Sequence, residues 1–239
     1  MIRILDVHIN YSQVSALGWS KGNRSGERTS EVVEALRGVT LDLNSNDYVA
    51  IIGPSGSGKS TLITAIAGLI AVAKGDVYVD KYKISRAGRG RQAKIRGRYF
   101  GIIFQFSEML GRFTVEENLR FAYVAAHGQI DAAYADRLKY LADKLDMHGL
   151  LGSFPTKLSG GQLQKTAIAR ALIKDSPFIL ADEPSGDLDP ESVARVKKLL
   201  REEHDRGKGI LLVTHDSKLA SDAESVFEMR AGEISALIK

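Results

Sequence analysis

The stretch YVAIIGPSGSGKST, residues 48–61, decides the fold, because an apolar run leads directly into a loop of glycine and serine. The pattern predicts a buried strand over residues 48–52, a loop from Gly53 and a helix that begins at about Lys59. Glycine adopts dihedrals that other residues avoid, so the N–H groups of the loop can all point at one anion, and the helix adds the positive end of its dipole. This context favours a site for nucleotide phosphates over a plain turn.

Most of this loop is predicted to contact a nucleotide. The predicted contacts are Ser55, Gly56, Ser57, Gly58, Lys59, Ser60 and Thr61. In this pattern Lys59 reaches the β- and γ-phosphates, and the hydroxyl of Ser60 is a ligand of Mg²⁺. We therefore expect a nucleoside triphosphate and magnesium.

The composition is that of an ordinary globular protein and sets few limits on function. The chain has 239 residues, of which 44% are hydrophobic and 26% are charged, which is enough for one large domain or two small ones. It has no cysteine, so disulfides and thiolate metal sites are excluded. No apolar stretch reaches the ~20 residues that span a bilayer, and the first residues do not form the apolar block of a signal peptide. If the protein works at a membrane, we expect something other than a membrane-spanning segment to hold it there.

The net charge of +4 is small, but one segment concentrates basic residues. Residues 86–98, RAGRGRQAKIRGR, hold five arginines and one lysine. Such a segment can contact lipid headgroups or RNA, although a loop of glycine and arginine is more often simply exposed. We interpret it as an exposed loop.

The first third of the chain is predicted to form a mostly antiparallel β layer. Residues 1–11 alternate, and Leu5, Val7, Ile9 and Tyr11 are expected on the buried face. Residues 12–31 lose this periodicity and predict a long loop, or a hairpin with a poorly ordered tip. Alternation resumes after residue 38, and a further short strand is expected near Val77.

A helical segment and an α/β sheet follow. Between Thr114 and Met147 the sequence pattern predicts helices. One apolar stripe of an amphipathic helix is formed by Tyr134, Leu138, Leu141 and Leu145. The runs 178–181 and 210–213 are continuously apolar, as in strands covered on both faces. Between these two strands, Asp189 and Pro190 are typical of a helix start.

The first chemical signal after the loop is the pair Asp182 and Glu183, which ends the apolar run 178–181. Ligands bind at the carboxyl ends of parallel strands, so both carboxylates are expected at that edge. Asp182 is predicted to hold Mg²⁺, and Glu183 to orient or deprotonate an attacking water. The alternative for such a pair is a helix cap, but a phosphate loop earlier in the chain favours catalysis.

The second signal is LSGGQ, residues 158–162, which precedes an apolar-periodic helix. A serine hydroxyl, two glycines and a helix N-terminus form a second design for binding an anion. A plain N-cap at Ser159 accounts for the serine but not for both glycines.

Two single residues complete the set. Gln105 ends the strand-like run 100–104, where a neutral amide can contact Mg²⁺ or the attacking water. His215 follows the run 210–213, where an imidazole can donate a hydrogen bond to the γ-phosphate and respond to its loss. Each has a structural alternative, and its position relative to the other motifs favours a role in catalysis.

These five motifs occur in an order that resembles the nucleotide-binding subunit of an ATP-binding-cassette transporter. The resemblance covers nearly the whole chain, and the residues around Gln105, Asn118 and Met229 are most similar to the group that serves lipoprotein release and macrolide export. It implies an α/β fold: a P-loop NTPase core with a mostly parallel sheet, an N-terminal antiparallel β layer and an inserted α-helical subdomain. We expect one domain, 1–239, with the core at 1–105 and 158–239 and the helical subdomain at 106–157.

The resemblance also implies roles for residues. The ATP would lie between the phosphate loop of one subunit and LSGGQ of a second copy, where the contacts are Ser159, Gly160, Gly161 and Gln162. Tyr11 would stack on adenine, with Trp19 as a rival, because segment 12–31 is longer than is usual in the group. Lys165 and Asp187 depart from the common pattern; Asp187 adds a negative charge near the expected interface.

The partners implied are a second copy of the chain and an integral-membrane permease, with no nucleic acid. A groove lined by Phe106, Met109, Leu110 and Phe113 would receive the permease, although core packing is an equal alternative for these four. The expected location is cytoplasmic and peripheral, on the inner face of the cell membrane. The resemblance implies an ATPase that powers an exporter or lipoprotein extractor; the alternatives are an ATP-driven signalling or scaffold subunit and, more remotely, a DNA-repair or translation ATPase.

Overall fold

The computed structural model describes residues 1–14, 30–105 and 109–237 of the chain. The strands are β1 (Ile2–Val14), β2 (Ser30–Leu43), β3 (Tyr48–Ile52), β4 (Lys74–Val79), β5 (Tyr82–Lys83), β6 (Phe100–Ile103), β7 (Phe178–Asp182), β8 (Gly209–Thr214), β9 (Ser225–Arg230) and β10 (Glu233–Leu237). The helices are α1 (Lys59–Ile66), α2 (Arg89–Tyr99), α3 (Val115–His127), α4 (Ala132–Leu145), α5 (Gly160–Leu172), α6 (Pro190–Asp205) and α7 (Ser217–Ala220). Within the described ranges, no helix is both long enough and apolar enough to cross a membrane.

The central sheet has the strand order β10-β9-β3-β8-β7-β6 and is parallel except for β10. Strands β7 and β8 are buried along their whole length, as their continuous apolar sequences predict. Ile52 pairs with Thr214, and Asp182 pairs with Val213, so β3, β8 and β7 end at one edge. That edge carries the phosphate loop and the predicted catalytic residues. The predicted α/β fold with a mostly parallel sheet is confirmed.

The predicted antiparallel layer is also present, with strand order β2-β1-β4-β5. The face assignment within β1 is wrong in part. Leu5 and Tyr11 are exposed, at 39% and 43%, whereas Ile2 and Ile4 are buried with Val7 and Ile9. The pairing of β1 with β2 shifts register between Ile4 and Val7, where Asp6 adopts a φ of 48°, and again after Ile9. The extra residue of the first bulge lies in β1 and moves the later side chains of β1 to the other face, which alternation alone cannot reveal. The shift after Ile9 places its extra residue in β2 instead, and Tyr11 pairs there with Val33, which is also exposed.

Two segments read as loops contain regular structure. Strand β1 continues to Val14, which pairs with Ser30 at the start of β2, so the arms of the predicted hairpin are present. Residues 15–29, including Trp19, lie outside the described residues. The arginine-rich segment 86–98 is a helix for most of its length, contrary to the predicted loop. The tertiary context overrides the weak helix preference of its glycines, because Ile95 is buried in the core.

The helical segment between the two halves of the sheet is held by its own caps. Thr114 and Glu117 form a reciprocal capping box at the start of α3. The buried amide of Asn118 donates to the carbonyl oxygens of Leu110, Phe113 and Thr114, and its oxygen accepts from the N–H of Leu110. These bonds fix the path of the chain before α3. The division into a core and a helical subdomain stays a prediction.

A buried ion pair joins α4 to α6. The guanidinium of Arg137 donates to both oxygens of Glu203 at 2.8 and 2.7 Å and to the carbonyl oxygen of Leu172. Lys208 lies 3.1 Å from Glu203 and also pairs with Asp175. Burial raises the pKa of Glu203, but the hydrogen bond and charge of Arg137 and the charge of Lys208 outweigh it, so that pKa is lowered overall. The network therefore ties the helical segment to the core.

Replacing Arg137 by methionine should lower the free energy of unfolding by about 3–5 kcal/mol, because Glu203 is left buried without its bidentate partner. The measurement is denaturant unfolding of the nucleotide-free chain at neutral pH. Arg195→Met, which breaks the exposed pair with Glu191, is the matched control and should change stability little, since water and salt screen that pair.

The same experiment has a pH dependence. Because the pKa of Glu203 is lowered, its stabilising contribution is present above its ordinary pKa of 4.5 and is lost as acid protonates it at lower pH. The difference in the free energy of unfolding between wild type and Arg137→Met should therefore become smaller below pH 4.5. A variant as stable as wild type at neutral pH would contradict this role of the pair.

Candidate functional site

The phosphate loop has the conformation that its glycines allow. Gly58 has a φ of 109° and caps α1, and the N–H of Leu62 donates to its carbonyl oxygen at 2.9 Å. Gly53 permits a close approach, because a Cβ there would lie 2.2 Å from the carbonyl oxygen of Met229 in β9. No other residue fits at Gly53 without moving the backbone of the sheet.

Lys59 is held inside this loop. Its side chain is buried at 6% exposure, and Nζ donates to the carbonyl oxygens of Gly53 and Pro54 at 2.8 and 3.0 Å. Lys59 is also the first residue of α1, so its ammonium belongs to the same loop and helix start that the sequence predicts for phosphate binding. Phosphate oxygens can replace the two carbonyl oxygens as its acceptors, which is the exchange that the predicted role requires.

One cavity of about 540 Å³ joins the loop to the predicted catalytic residues. Its lining includes Ser55, Gly56, Gly58, Lys59, Ser60 and Thr61 from the loop. Gln105, Glu183 and His215 line the same cavity. The structure therefore brings together residues that are far apart in the sequence.

Two further parts of the cavity wall are formed by residues that belong to no recognisable sequence motif. One is the edge of β2, with Val33, Glu34, Ala35 and Arg37, and the other is the turn at Ala231 and Gly232. The N–H of Gly232 donates to the carbonyl oxygen of Ser57 at 2.9 Å, and the N–H of Arg37 donates to Gly232 at 2.9 Å. These backbone bonds join the β layer to the phosphate loop, and residue types alone give no indication of them.

Glu183 is oriented by two side chains from the end of β8. The hydroxyl of Thr214 donates to Oε2 at 2.8 Å, and Nδ1 of His215 lies 2.9 Å from Oε1. The backbone of Glu183 has a φ of 46°, a strained conformation that turns the chain out of β7. Thr214 is fixed in turn, since it accepts from the N–H of Asp216 at 3.0 Å. Sequence reasoning assigned no role to Thr214; its position at a strand end, directly before His215, was the available signal.

Asp182 and Ser60 form the candidate magnesium site. Burial raises the pKa of Asp182, a hydrogen bond from Ser60 opposes this, and the charge of Glu183 adds to the rise. Atom Oδ1 of Asp182 is buried and has no hydrogen-bond partner among the described residues. A buried carboxylate oxygen without a partner fits a cation or its bound water.

The cation would need further ligands from outside the chain. Among the described residues, no three His, Asp or Glu side chains cluster as a metal site. Magnesium usually combines one or two protein ligands with water and phosphate oxygens, so Ser60, Asp182 and Gln105 suit such a mixed set. The site fits the ion as a partner of a bound nucleotide.

The LSGGQ segment lies apart from this cavity. Ser159 is the N-cap of α5 and forms a reciprocal capping box with Gln162. Both polar side chains are therefore hydrogen-bonded to the backbone of their own helix start. Among the described residues that line the phosphate cavity, none comes from 158–162. The glycines have a packing role: a Cβ at Gly161 would lie 2.9 Å from the carbonyl oxygen of Asp187.

The predicted adenine contact is not settled by the geometry. Tyr11 is exposed and pairs with Val33, which lines the cavity, so Tyr11 lies beside it on the neighbouring strand. Its role stays a prediction. The rival Trp19 and the groove residue Phe106 both lie outside the described residues.

A second, more apolar groove of about 340 Å³ lies beside α3. Leu69, Leu110 and Phe121 line it and are exposed, with Phe121 at 60%. Phe113 is also exposed, at 44%. Leu110 and Met109 border a further cavity with Ser60, Gln105 and Asp182, so the groove and the candidate magnesium site are neighbours. Of the four predicted groove residues, Leu110 and Phe113 are exposed and therefore are not core residues of this chain. Their contact with a permease stays a prediction.

Comparison with known proteins identifies relatives of this architecture. Residues 36–186 match the family model described as ABC transporter. An uncharacterized ABC transporter ATP-binding protein of Thermotoga maritima is 40% identical over 86% of this chain and 87% of its own length. The macrolide export ATP-binding/permease protein MacB of Escherichia coli is 39% identical over 88% of this chain. The chain spans about a third (32%) of the length of MacB.

Solved structures give the same result. The bacterial ABC transporter cassette MJ0796, solved as a dimer, has a TM-score of 0.86 and 30% identity, with both chains fully covered. The same cassette in a post-hydrolysis dimer with ADP and phosphate also has a TM-score of 0.86, at 29% identity. The predicted resemblance to ABC nucleotide-binding subunits, including the macrolide-export group, is confirmed.

Gly161→Ala should lower the free energy of unfolding by about 1–3 kcal/mol, because the new methyl group meets the backbone of Asp187. Gly160→Ala is the matched control: it lies in the same helical turn and gains the same helix preference, but its Cβ would come no closer than 3.4 Å to Asp187. Denaturant unfolding without nucleotide measures both. If the two variants are equally stable, the close approach of residue 161 to the backbone of Asp187 does not require glycine.

Proposed function

Because the chain belongs to the ABC transporter family, whose cassettes bind and hydrolyse ATP, we propose that it is the ATPase subunit that powers a separate membrane permease. The observation that carries the proposal is the single cavity that Lys59, Gln105, Glu183 and His215 line together. Binding of a triphosphate there places its terminal phosphate between a loop that neutralises charge and a carboxylate held ready to accept a proton.

The chain's own residues divide the chemistry between them. Lys59 and the N-terminus of α1 stabilise the negative charge that moves to the β-phosphate side as the terminal bond breaks. Ser60 and Asp182 would hold magnesium, which would supply further charge neutralisation. Glu183 orients the attacking water and accepts its proton while the water oxygen bonds to the γ-phosphorus.

Glu183 suits this role because its two oxygens are already oriented. Thr214 donates to one oxygen, and His215 lies at hydrogen-bond distance from the other. His215 is otherwise exposed, at 73% of its side chain, so it can turn towards a phosphate oxygen that enters the cavity. Gln105 borders both this cavity and the one next to Leu110, so it can transmit nucleotide occupancy to the groove.

We propose that a second copy of the chain completes the site. The N-terminus of α5, with Ser159 and Gly161, does not line the phosphate cavity of its own subunit. MJ0796 was solved as a dimer, which supports an arrangement in which LSGGQ of one copy closes the ATP site of the other. ATP would then join two subunits and hydrolysis would release them, a two-state switch biased by ligand.

The permease is proposed to dock on the groove beside α3. Its exposed apolar side chains, Leu69, Leu110 and Phe121, are unusual for a surface that faces only water. The helical subdomain, 106–157, would transmit movement between this groove and the nucleotide. The name of MacB combines ATP-binding and permease functions in macrolide export, which supports work with a permease in export. We propose an exporter or lipoprotein extractor that is located on the inner face of the cell membrane.

Glu183→Gln should retain ATP binding but lose ~10²-fold or more of ATP turnover, because an amide cannot accept the proton of the attacking water. Turnover is measured with the membrane partner present, and binding is measured separately with labelled ATP. Glu191→Gln, at an exposed position at the start of α6, is the control and should hydrolyse ATP as wild type does. Near-normal turnover of Glu183→Gln would remove Glu183 as the catalytic base.

Mixing two inactive variants tests the shared site. Lys59→Ala disables one phosphate loop and Ser159→Phe disables one LSGGQ, so each variant alone should be inactive. A mixed pair contains one site with an intact loop and an intact LSGGQ, so mixing should restore turnover.

The control mixes Lys59→Ala with a chain that carries both substitutions, a combination that forms no intact site. If the first mixture stays inactive although the chains pair, each subunit uses its own LSGGQ and the shared site is wrong.

A further inference from the structure

Helix α2 presents a cluster of cations to solvent. Arg91, Lys94 and Arg98 share one side of the helix, and Arg89 lies in its first turn; all four are exposed, and we call these four residues the α2 basic face. They occupy a single helix that contains no Asp or Glu. The cluster therefore has no charge compensation within its own helix.

Few neighbours compensate these charges. None of the four forms an ion pair with any residue in the described ranges, although Lys83 and Arg86 just before the helix pair with Asp76. Helix α6 provides the contrast: Arg195, Lys197 and Arg201 each have a carboxylate partner, Glu191, Asp222 and Asp205 in that order. Of its lysines and arginines, Lys198 alone forms no ion pair within the described ranges. Unpaired cations on one helix and paired cations on another indicate a local attraction for anions rather than a generally basic surface.

The α2 basic face does not hold the fold together. The helix is anchored by Ile95, which is buried in the core, and by Arg96, whose Nη1 donates to the carbonyl oxygens of Ala67 and Gly68 at the end of α1. Arg96 thus caps another helix, whereas the four exposed cations contact no carbonyl oxygen in the described ranges. Their positions are free to serve an external partner.

Tyrosine rings support two of these cations at the surface. The guanidinium of Arg91 lies 5.5 Å from the ring centre of Tyr82, and that of Arg98 lies 5.7 Å from Tyr99. The two rings meet edge to face at 6.1 Å. Cation–π contacts orient the guanidinium groups without neutralising them, and tyrosine suits a boundary between water and lipid.

Another side of the same helix, away from Arg91 and Arg98, borders the groove beside α3. Arg96 and Gly97 line that groove together with Leu110 and Phe121. This step rests on the proposed function: if a permease docks there, α2 lies at the edge of the docking surface. Its exposed side would then face whatever surrounds the permease, which is the headgroup layer of the membrane.

We propose that the α2 basic face binds the anionic headgroups of the membrane directly and helps to orient the subunit on it. Around the start of the helix the surface is open, since a Cβ at Gly88 or Gly90 would meet no atom within 4 Å. Lipid phosphates move laterally and can match spread-out cations, whereas an acidic peptide needs a bounded groove. Arginine also pairs with phosphate through two parallel N–H groups.

The test is sedimentation of the whole chain with vesicles, without nucleotide and without permease. Vesicles of phosphatidylglycerol and phosphatidylcholine in equal parts should bind the chain, and vesicles of phosphatidylcholine alone should not. Changing Arg89, Arg91, Lys94 and Arg98 together to glutamine should weaken binding on the order of 10²-fold. Binding of wild type should also fall steeply as salt is raised.

The matched control changes Arg195, Lys197, Lys198 and Arg201 of α6 to glutamine, which removes the same total charge from another helix. This control should bind anionic vesicles nearly as wild type does. A second variant, with the three arginines of the α2 basic face changed to lysine, should retain most of the binding. Circular dichroism and ATP turnover confirm that each variant is folded, since no residue of α2 lines the phosphate cavity.

Three results would overturn the proposal: equal binding to both kinds of vesicle, an α2 glutamine variant that binds as wild type does, or an α6 variant that loses as much. A chain that ignores anionic vesicles but needs these cations to bind the permease in phosphatidylcholine would assign them to an acidic protein segment instead. Lys59→Ala should bind vesicles normally. Loss of ATP turnover with intact vesicle binding, or the reverse, therefore separates failure of the ATPase from failure of this inference.

Discussion

The parallel pairing of β3, β8 and β7 is the constraint on which the nucleotide site depends. These strands end at one edge, so the phosphate loop after β3, Asp182 and Glu183 after β7, and His215 after β8 are neighbours in space. Their strands are buried on both faces, which prevents slippage by even one residue, because a slip would turn apolar side chains outward and move each site residue. The hydrophobic core thereby sets catalytic geometry.

Carboxylates serve two opposite purposes in this fold, and their partners decide which. Glu203 is fully buried but has a bidentate arginine and a lysine, so its charge is compensated and its role is to connect α4 with α6. Asp182 is nearly as buried, yet one of its oxygens has no partner in the described residues. A buried carboxylate oxygen without a hydrogen-bond partner or counter-charge destabilises a fold. It is tolerated at a site where a bound cation supplies the missing partner.

The nucleotide edge and the groove beside α3 are coupled by proximity. One cavity is lined by residues of the candidate magnesium site, Ser60, Gln105 and Asp182, and by Met109 and Leu110 near the groove. The side chain of Asn118 holds the backbone of Leu110 through two hydrogen bonds. A change at the magnesium site can therefore reach the groove through a few packed residues. Helix α2 borders the groove through Arg96 and Gly97 and carries unpaired positive charge on its exposed residues. The surface proposed for the permease therefore adjoins both the nucleotide site and the helix proposed to bind lipid.

The sequence by itself determined the central strands, the phosphate loop, the start of α1 at Lys59 and the identity of the residues that gather at the sheet edge. These features depend on local periodicity and on glycine positions, which the order of residues displays directly. Only the tertiary structure decided the bulge after Ile4 that leaves Leu5 exposed and Val7 buried, the helix at 89–99, and the wall that β2 and Gly232 add to the cavity. Those features depend on contacts between segments far apart in the chain: a register shift, a buried Ile95 and two backbone hydrogen bonds, none of which leaves a local pattern.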